Sequence, residues 1–273
     1  MTTLQLQLSV WEQGFLVRKR TAENLEAYEY RLRGLEQYFR YTKDSVLQAR
    51  KLLEKAIELD PNEAAAYVTL SGTYLIEWVF QWSQDPQAFD KAFACAQKAV
   101  ALDDTLPNAH RLLAIVYPWK KQYDQAIAEA ERAIALAPSD ADMYDSLAVA
   151  LNSAGRPEEA IAAMKKAMRL NPHYQLTYLI QLGTAYRLTG HTEEAIAIFK
   201  KALLRNPNFL GAHGNLADIY AELGQEEEAR AEAAEVLRLS PNFSLEGARQ
   251  RLHYKDPAIA ERIITNLRKA GLK

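Results

Sequence analysis

The chain has 273 residues, 49% of them hydrophobic and 25% charged, with only 11 glycines and 10 prolines. This composition predicts a folded protein and excludes a disordered chain, which carries fewer apolar residues and more charge or proline. The formal net charge of −2 excludes a general electrostatic attraction to nucleic acid or to an anionic membrane surface.

The number of cysteines and the distribution of apolar residues indicate the cellular compartment of the protein. The single cysteine, Cys95, cannot form an internal disulfide and is typical of a reducing compartment. No apolar run reaches the roughly 18 residues of a membrane-spanning helix. Residues 1–10 also lack the basic start and apolar core of a secretory signal. We therefore expect a cytoplasmic protein without membrane insertion.

Residues 1–26 fit no repeat. Residues 3–8 alternate apolar and polar side chains, which is typical of a strand or a sheet-edge segment. The basic run at residues 18–20 indicates a solvated linker rather than a phosphate site. We expect residues 1–26 to form a linker or the end of a preceding domain.

Residues 27–243 predict an array of six helix pairs, each a helix A followed by a helix B. The expected pairs are 27–63, 64–106, 107–140, 141–174, 176–209 and 210–243. Prolines close the later B helices and are separated by 34, 35 and 34 residues, at Pro138, Pro172, Pro207 and Pro241. Glycine recurs where each later helix A must end in a left-handed turn, at Gly155, Gly190 and Gly224.

Two of the predicted pairs depart from the regular spacing. In the second, an insert contains Trp78, Phe80 and Trp82, and each large apolar side chain left in water costs about 1.5–3 kcal/mol. We favour a continued helix A whose aromatic residues pack on neighbouring repeats, and the alternative is a partner-binding aromatic patch. Asp85, followed by a proline, predicts the start of helix B. In the third pair, Pro118 predicts that helix A ends or kinks a turn early.

Residues 244–273 lie beyond the repeats and predict a C-terminal helical cap. Ser244 is a suitable N-cap for one short helix, and Asp256 followed by Pro257 predicts the start of another. The second helix carries apolar residues at helical spacing, at Ile259, Ile263, Ile264 and Leu267. We expect this amphipathic element to cover the apolar face of the last repeat.

The fifth pair contains a complete repeat signature. Its helix A holds a pattern of leucines followed by Gly183 and Tyr186, and its helix B holds Ala195 and Phe199 ahead of Pro207. Gly183 and Ala195 are small because the two helices must approach closely there. This order resembles the tetratricopeptide repeat, a unit of two helices. The resemblance implies an all-α fold, a right-handed α-solenoid of about six such helix pairs with a C-terminal helical cap.

The resemblance also implies a concave groove lined by the A helices. Eight inward positions are candidate partner-binding residues: Asn108, Arg111, Trp119, Asp145, Asn152, Arg187, Asn215 and Asp218, with Asp142, Thr184 and Glu222 at equivalent positions. Arginine can hold a carboxylate, asparagine an extended backbone, and tryptophan can anchor an apolar contact. We therefore expect a protein or extended-peptide partner, and an alanine at Arg111, Asn152 or Arg187 that weakens binding with little change in melting temperature.

Binding is not the only interpretation of these inward positions. The alternative is that their side chains are merely solvated. The lysine- and asparagine-rich clamp of chaperone-tail-binding relatives is also missing from the inward positions.

A search for catalytic, cofactor and metal sites returns none. No glycine-rich phosphate loop is present, and Cys95 lies among alanines as a small core residue. The histidines lack the spacing of metal ligands, at His110, His173, His191, His213 and His253. We predict no catalytic residue, no metal and no cofactor.

The two ends and the insert resemble the C-terminal repeat region of bacterial class III adenylate/guanylate cyclases. The segments that carry this resemblance are residues 24–28, 32–36, 42–43, 78–85 and 242–257. The cyclase catalytic domain is absent, so the resemblance implies a non-catalytic interaction or regulatory module. The alternatives are a stand-alone peptide-binding adaptor unrelated to cyclases and an enzyme without a recognisable motif. The sequence does not fix the oligomeric state.

Overall fold

The computed structural model describes residues 23–80, 82–83 and 85–273. Within these ranges the chain forms fourteen α-helices and one 3-10 helix, with no strand, so the all-α prediction is confirmed. The strand-like segment and the basic linker predicted within residues 1–22 lie outside the described residues. The first helix begins at Glu23, four positions before the predicted start of the array at residue 27.

The α-helices are numbered here in chain order. They are α1 (Glu23–Tyr38), α2 (Lys43–Leu59), α3 (Ala64–Val79), α4 (Ala88–Leu102), α5 (Pro107–Val116), α6 (Tyr123–Leu136), α7 (Ala141–Ala154), α8 (Pro157–Leu170), α9 (Leu176–Leu188), α10 (Thr192–Arg205), α11 (Leu210–Glu222), α12 (Glu226–Leu239), α13 (Leu245–Arg251) and α14 (Pro257–Lys269).

The chain divides into two compact units, Met1–Leu113 and Ala114–Lys273. In the first, α1 packs on α2, α2 on α3, and α3 on α4. In the second, each helix from α6 to α12 packs on the next, and α14 packs on α11. The division falls inside α5, within the predicted third pair, and the six repeat boundaries stay a prediction.

The turns between helices follow the predicted proline and glycine positions. Helix α5 ends at Val116 and a 3-10 helix follows at Tyr117–Lys120, as Pro118 predicts, because proline cannot donate a backbone hydrogen bond. The three recurring glycines have φ values of 78°, 79° and 73°, so the predicted left-handed turns are confirmed. Glutamates occupy the first turns of α8, α10 and α12, where the helix dipole favours negative charge.

Close helix packing explains the small residue at Gly183. A Cβ atom built there would lie 2.6 Å from two carbons of the Phe199 ring, and both Ala195 and Phe199 are completely buried. The same core continues through α11 to the C-terminal cap, where Ile264 and Leu267 are buried. The cap therefore covers the last helix pair, and it does so by packing on α11.

Only the first part of the aromatic insert extends α3, and Phe80 and Trp82 lie beyond the end of this helix. This helix continues to Val79, and the Trp78 ring lies 5.0 Å from the Phe89 ring of α4. Phe80 and Trp82 stack with their ring centres 5.0 Å apart. The continued helix A is confirmed, although Trp78 contacts the second helix of its own pair. The predicted helix start at Asp85 is wrong, because Ala88 N donates to Asp85 O at 3.1 Å in a turn and α4 begins at Ala88.

Candidate protein-binding surface

The eight candidate groove residues fall into both units. Asn108 and Arg111 lie on α5 within the first unit, and the Arg111 Nε–H donates to Asn108 Oδ1 at 2.9 Å. The other six lie in the second unit. The surface described below belongs to the second unit alone.

Trp119 already contacts the C-terminal part of the chain. Its Nε1–H donates to the backbone oxygen of Arg251 at 2.9 Å. Its ring meets the His253 ring nearly at right angles, with ring centres 4.3 Å apart. The apolar anchor predicted for a partner therefore has an intramolecular occupant, because the chain after α13 returns to this surface.

We call residues 252–256, the non-helical connection between α13 and α14, the C-terminal strap. The Lys255 N–H donates to the backbone oxygen of Ser153 at 2.8 Å. The Ser153 hydroxyl donates to Val149 O at 2.7 Å and lies 2.8 Å from His253 Nδ1. A hydroxyl has one proton, so Ser153 Oγ must accept from a protonated Nδ1. This assigns a proton to Nδ1 of His253.

The surroundings of the strap disfavour a charge on its histidine. Burial lowers the pKa of His253 to about 4 because the charged imidazolium loses its hydration. The groups that face the ring, Trp119 and Ser153, carry no charge. Burial likewise raises the pKa of the neighbouring Tyr254 to about 12, and the Asp218 carboxylate adds to that rise.

The strap satisfies two backbone groups that helix ends leave open. The last four carbonyls of a helix have no partner within it. Ser153 O lies in the last turn of α7 and Arg251 O in the last turn of α13. They accept hydrogen bonds from Lys255 N and Trp119 Nε1 respectively. Docking of the strap therefore replaces hydrogen bonds to water that these carbonyls would otherwise need.

A second intramolecular network uses Arg187 and Asp218. Arg187 donates from Nε to Asp218 Oδ2 at 2.7 Å and from Nη2 to Glu222 Oε2 at 2.6 Å. The Asn266 amide of α14 donates to Asp218 Oδ1 at 2.9 Å. Burial raises the pKa of Asp218. The charge of Arg187 and the hydrogen bonds from Asn266 and Arg187 oppose that rise.

This network corrects the predicted role of Arg187. Its side chain was expected to be open to a partner's carboxylate, but Arg187 is 9% exposed and Asp218 is 2% exposed. The chain's own carboxylates take up the guanidinium, because α14 packs on α11 and places Asn266 against Asp218. We therefore expect substitution of Arg187 to lower the melting temperature, in place of the expectation of little change.

The remaining candidates are Asp145, Asn152 and Asn215. Asp145 is buried on α7, and Asn215 Nδ2 donates to Gly211 O of its own helix at 2.8 Å. Asn152 donates to Gln181 O at 3.1 Å. Its Oδ1 atom has no hydrogen-bond partner among the described residues, although the side chain is only 3% exposed. An unsatisfied, covered acceptor therefore lies one position before Ser153 in α7.

Three residues of this surface are missing from the sequence-based candidates. Ser153 gives no periodic signal, and His253 was considered only as a metal ligand. Asn266 could have been found, since it is a polar residue between Ile264 and Leu267 on the buried face of the cap helix. A buried amide on an apolar face usually has a hydrogen-bond partner.

Metal sites and membrane-spanning helices can be assessed only in the part of the chain that the structure describes. There, no three histidine, cysteine or acidic side chains are arranged to hold a metal ion. In the same residues no helix has the length and apolar character needed to cross a membrane.

Two family models, both described as Tetratricopeptide repeat, match this chain. One covers residues 139–203 and the other covers residues 186–252. Together they span α7 to α13, which includes Asn152, Arg187 and Asp218.

Two proteins of known description share parts of the sequence. A candidate adenylate cyclase of Rhizobium meliloti (strain 1021) is 36% identical over 98 residues, which are 36% of this chain and 17% of that protein. The transcriptional regulator HilA of Salmonella paratyphi A (strain ATCC 9150 / SARB42) is 34% identical over 92 residues, which are 34% of this chain and 17% of HilA. The chain thus matches less than a fifth of each relative's length.

Solved structures show the same fold. The APC/C hetero-tetramer Cut9–Hcn1 aligns with a TM-score of 0.65 and 19% identity, over 98% of this chain and 45% of that chain. A thermophilic tetratricopeptide-repeat protein of Thermus thermophilus aligns with a TM-score of 0.54 and 24% identity, over 72% and 98% of the two chains. At these identities the similarity concerns the fold alone.

Proposed function

We propose that this chain, which carries tetratricopeptide repeats within residues 139–252, is a non-catalytic protein-interaction module. It binds an extended segment of a partner protein on the inner faces of its A helices. The observation that carries this proposal is the C-terminal strap, a non-helical piece of polypeptide whose His253 ring packs on Trp119 and whose Lys255 N–H donates to Ser153 O.

The contacts of the strap are of the kind that an extended partner makes. Within the strap, the Lys255 N–H is recognised by Ser153 O. Just before the strap, the C=O of Arg251, the last residue of α13, is recognised by Trp119 Nε1. A ring from the strap packs on the Trp119 indole. Backbone hydrogen bonds supply affinity for any extended segment, and side-chain contacts between them supply specificity.

Asn152 supports a neighbouring contact point on the same surface. Its buried Oδ1 has no partner among the described residues, and a buried acceptor left unsatisfied costs about 1–3 kcal/mol. A backbone N–H of a bound segment would remove that cost once binding uncovers the Oδ1 atom, which is covered in the free chain. Asp145 and Asn215 remain candidates for further contacts on the second unit, and Asn108 and Arg111 remain separate candidates on the first. Arg187 and Asp218 belong to the intramolecular network.

The two relatives support a regulatory setting. One is named for adenylate cyclase and the other for transcriptional regulation, and each shares only 17% of its length with this chain. Partial similarity to proteins with such different names is consistent with an interaction role independent of any one reaction. We assign the chain to the interaction or regulatory part of a cyclase-like bacterial protein that works in the cytoplasm.

Selection of peptides tests the proposed binding directly. A phage-displayed library of random twelve-residue peptides is selected on the full chain, and binding of enriched peptides is measured by calorimetry. Asn152→Ala should weaken binding about tenfold, in the range expected for an interface residue that matters. Asn62→Ala, at an exposed turn, is the matched control and should leave binding unchanged. Peptides that bind both variants like the wild type would show that the inner surface is not the site.

The absence of catalysis has a separate test. Purified protein is mixed with ATP or GTP in the presence of magnesium or manganese, and both binding and cyclic-nucleotide formation are measured. We expect neither. Stoichiometric nucleotide binding would contradict the assignment of a purely interacting module.

A further inference from the structure

We propose that the C-terminal strap is an intramolecular competitor of the partner. It occupies the surface at Trp119 and Ser153, and a partner segment must displace it. The matching partner sequence carries an uncharged aromatic or imidazole ring two positions before a free backbone N–H. This inference rests on the proposed function and names the regulation of the same surface.

The contacts of the strap indicate which chemical groups a partner segment needs in order to replace it. His253 places a neutral ring against the Trp119 indole and its Nδ1 against Ser153 Oγ. Two positions later, Lys255 supplies the N–H that Ser153 O accepts. A proline at the second position would lose that hydrogen bond, and a cationic side chain at the first would be desolvated on binding.

The strap is held less firmly than the helix that follows it. Leu252 packs against the edge of the core cluster, His253 and Tyr254 are enclosed but keep part of their surface in contact with solvent, and residues 255 and 256 are exposed. In contrast, α14 contributes Ile264 and Leu267 to the core and Asn266 to the Asp218 network. Segments with few buried apolar contacts open at lower free energy than core helices. The strap can therefore lift from the surface while α14 stays in place.

Tethering explains how weak contacts can keep a partner out. A segment joined to its site by a short connection acts at an effective concentration of order millimolar. The strap is anchored at both ends, by α13 and by α14. A free peptide at micromolar concentration competes poorly against it, and loosening the strap should expose the surface.

A labelled peptide with the strap's own sequence provides the test. A fluorescein-labelled synthetic peptide of residues 250–257 is titrated with the full chain and followed by fluorescence polarisation. We expect His253→Ala to bind it at least about tenfold more tightly than the wild type, since the tethered competitor is weakened. Addition of Trp119→Ala to that variant should abolish binding. His173→Ala, at an exposed position, is the matched control and should behave as the wild type.

A second variant guards against a folding defect in the first. Lys255→Pro removes the N–H that Ser153 accepts and leaves both rings in place, so it should also increase binding of the labelled peptide. Circular dichroism of both variants confirms that they remain folded. Equal affinity for the wild type and both variants, or no binding to any of them, would overturn the proposed competition.

The outcome can be separated from that of the proposed function. Peptides selected on the full chain are measured against the wild type and His253→Ala. Equal affinities together with a loss in Asn152→Ala would mean that a partner binds but the strap does not compete. If neither His253→Ala nor Asn152→Ala changes the affinity for the selected peptides, the inner surface is not the binding site.

Discussion

Substitution of Gly183 by alanine tests the helix crossing at the centre of the second unit. A Cβ atom at this position would lie 2.6 Å from Cε1 and Cζ of Phe199, far inside normal contact. Phe199 is fully buried in the core formed with Leu179 and Ala195, so its ring has little room to move. Overpacking of this kind costs about 1–3 kcal/mol, and the better helix propensity of alanine returns about 0.5–1 kcal/mol. We expect a net loss of roughly 1–2 kcal/mol.

Gly214→Ala is the matched control. Gly214 also lies within a helix, α11, but its Cβ atom would meet nothing within 4 Å. This change should stabilise the protein by about 0.5–1 kcal/mol, because only the helix-propensity effect remains. Urea unfolding followed by circular dichroism measures both variants. A Gly183→Ala protein as stable as Gly214→Ala would refute the close crossing with Phe199.

Three further predictions concern the polar groups of the second unit. Arg187→Ala should destabilise the protein by about 3–5 kcal/mol, because it leaves a buried carboxylate unpaired. The control Arg238→Ala breaks an exposed ion pair and should cost less than about 1 kcal/mol. Equal melting temperatures of the two variants would contradict this prediction. Asn266→Ala should cost about 1–3 kcal/mol, because Asp218 Oδ1 loses its donor, and an unchanged unfolding midpoint would exclude the contact. Burial holds the pKa of His253 near 4 against about 6.5 unfolded, so the stability that it contributes is complete above pH 6.5 and is lost as the pH falls towards 4. At pH 5 the loss is on the order of 2 kcal/mol, and His253→Ala should show less of this pH dependence.

Much of the fold could be predicted because its signals are local. Pro118 ends α5 one turn before the helix would otherwise stop, and glycine turns such as that at Gly155 need only a positive φ. Asp256 and Ser244 accept hydrogen bonds at the starts of the two cap helices. Each of these features depends on neighbouring residues alone, so a single sequence contains the information.

The candidate surface could be predicted only in part. Repeat positions correctly place Arg187, Asp218 and Glu222 near one another, because helical periodicity determines which residues share a face. Repeat positions do not reveal that α14 would cover Asp218. The contact between Trp119 and Arg251 joins residues 132 positions apart. It depends on the path of a five-residue non-helical connection, for which the sequence has no periodic signal.

Amide hydrogen exchange at Lys255 tests the central claim most directly, namely that the C-terminal strap is docked against Trp119 and Ser153. In the wild type, the Lys255 N–H donates to Ser153 O, so it should exchange at least about tenfold more slowly than in an unstructured peptide. In His253→Ala this protection should decrease while the amides of α14 remain protected. Exchange of Lys255 at the unstructured rate in the wild type, with α14 still protected, would contradict the account.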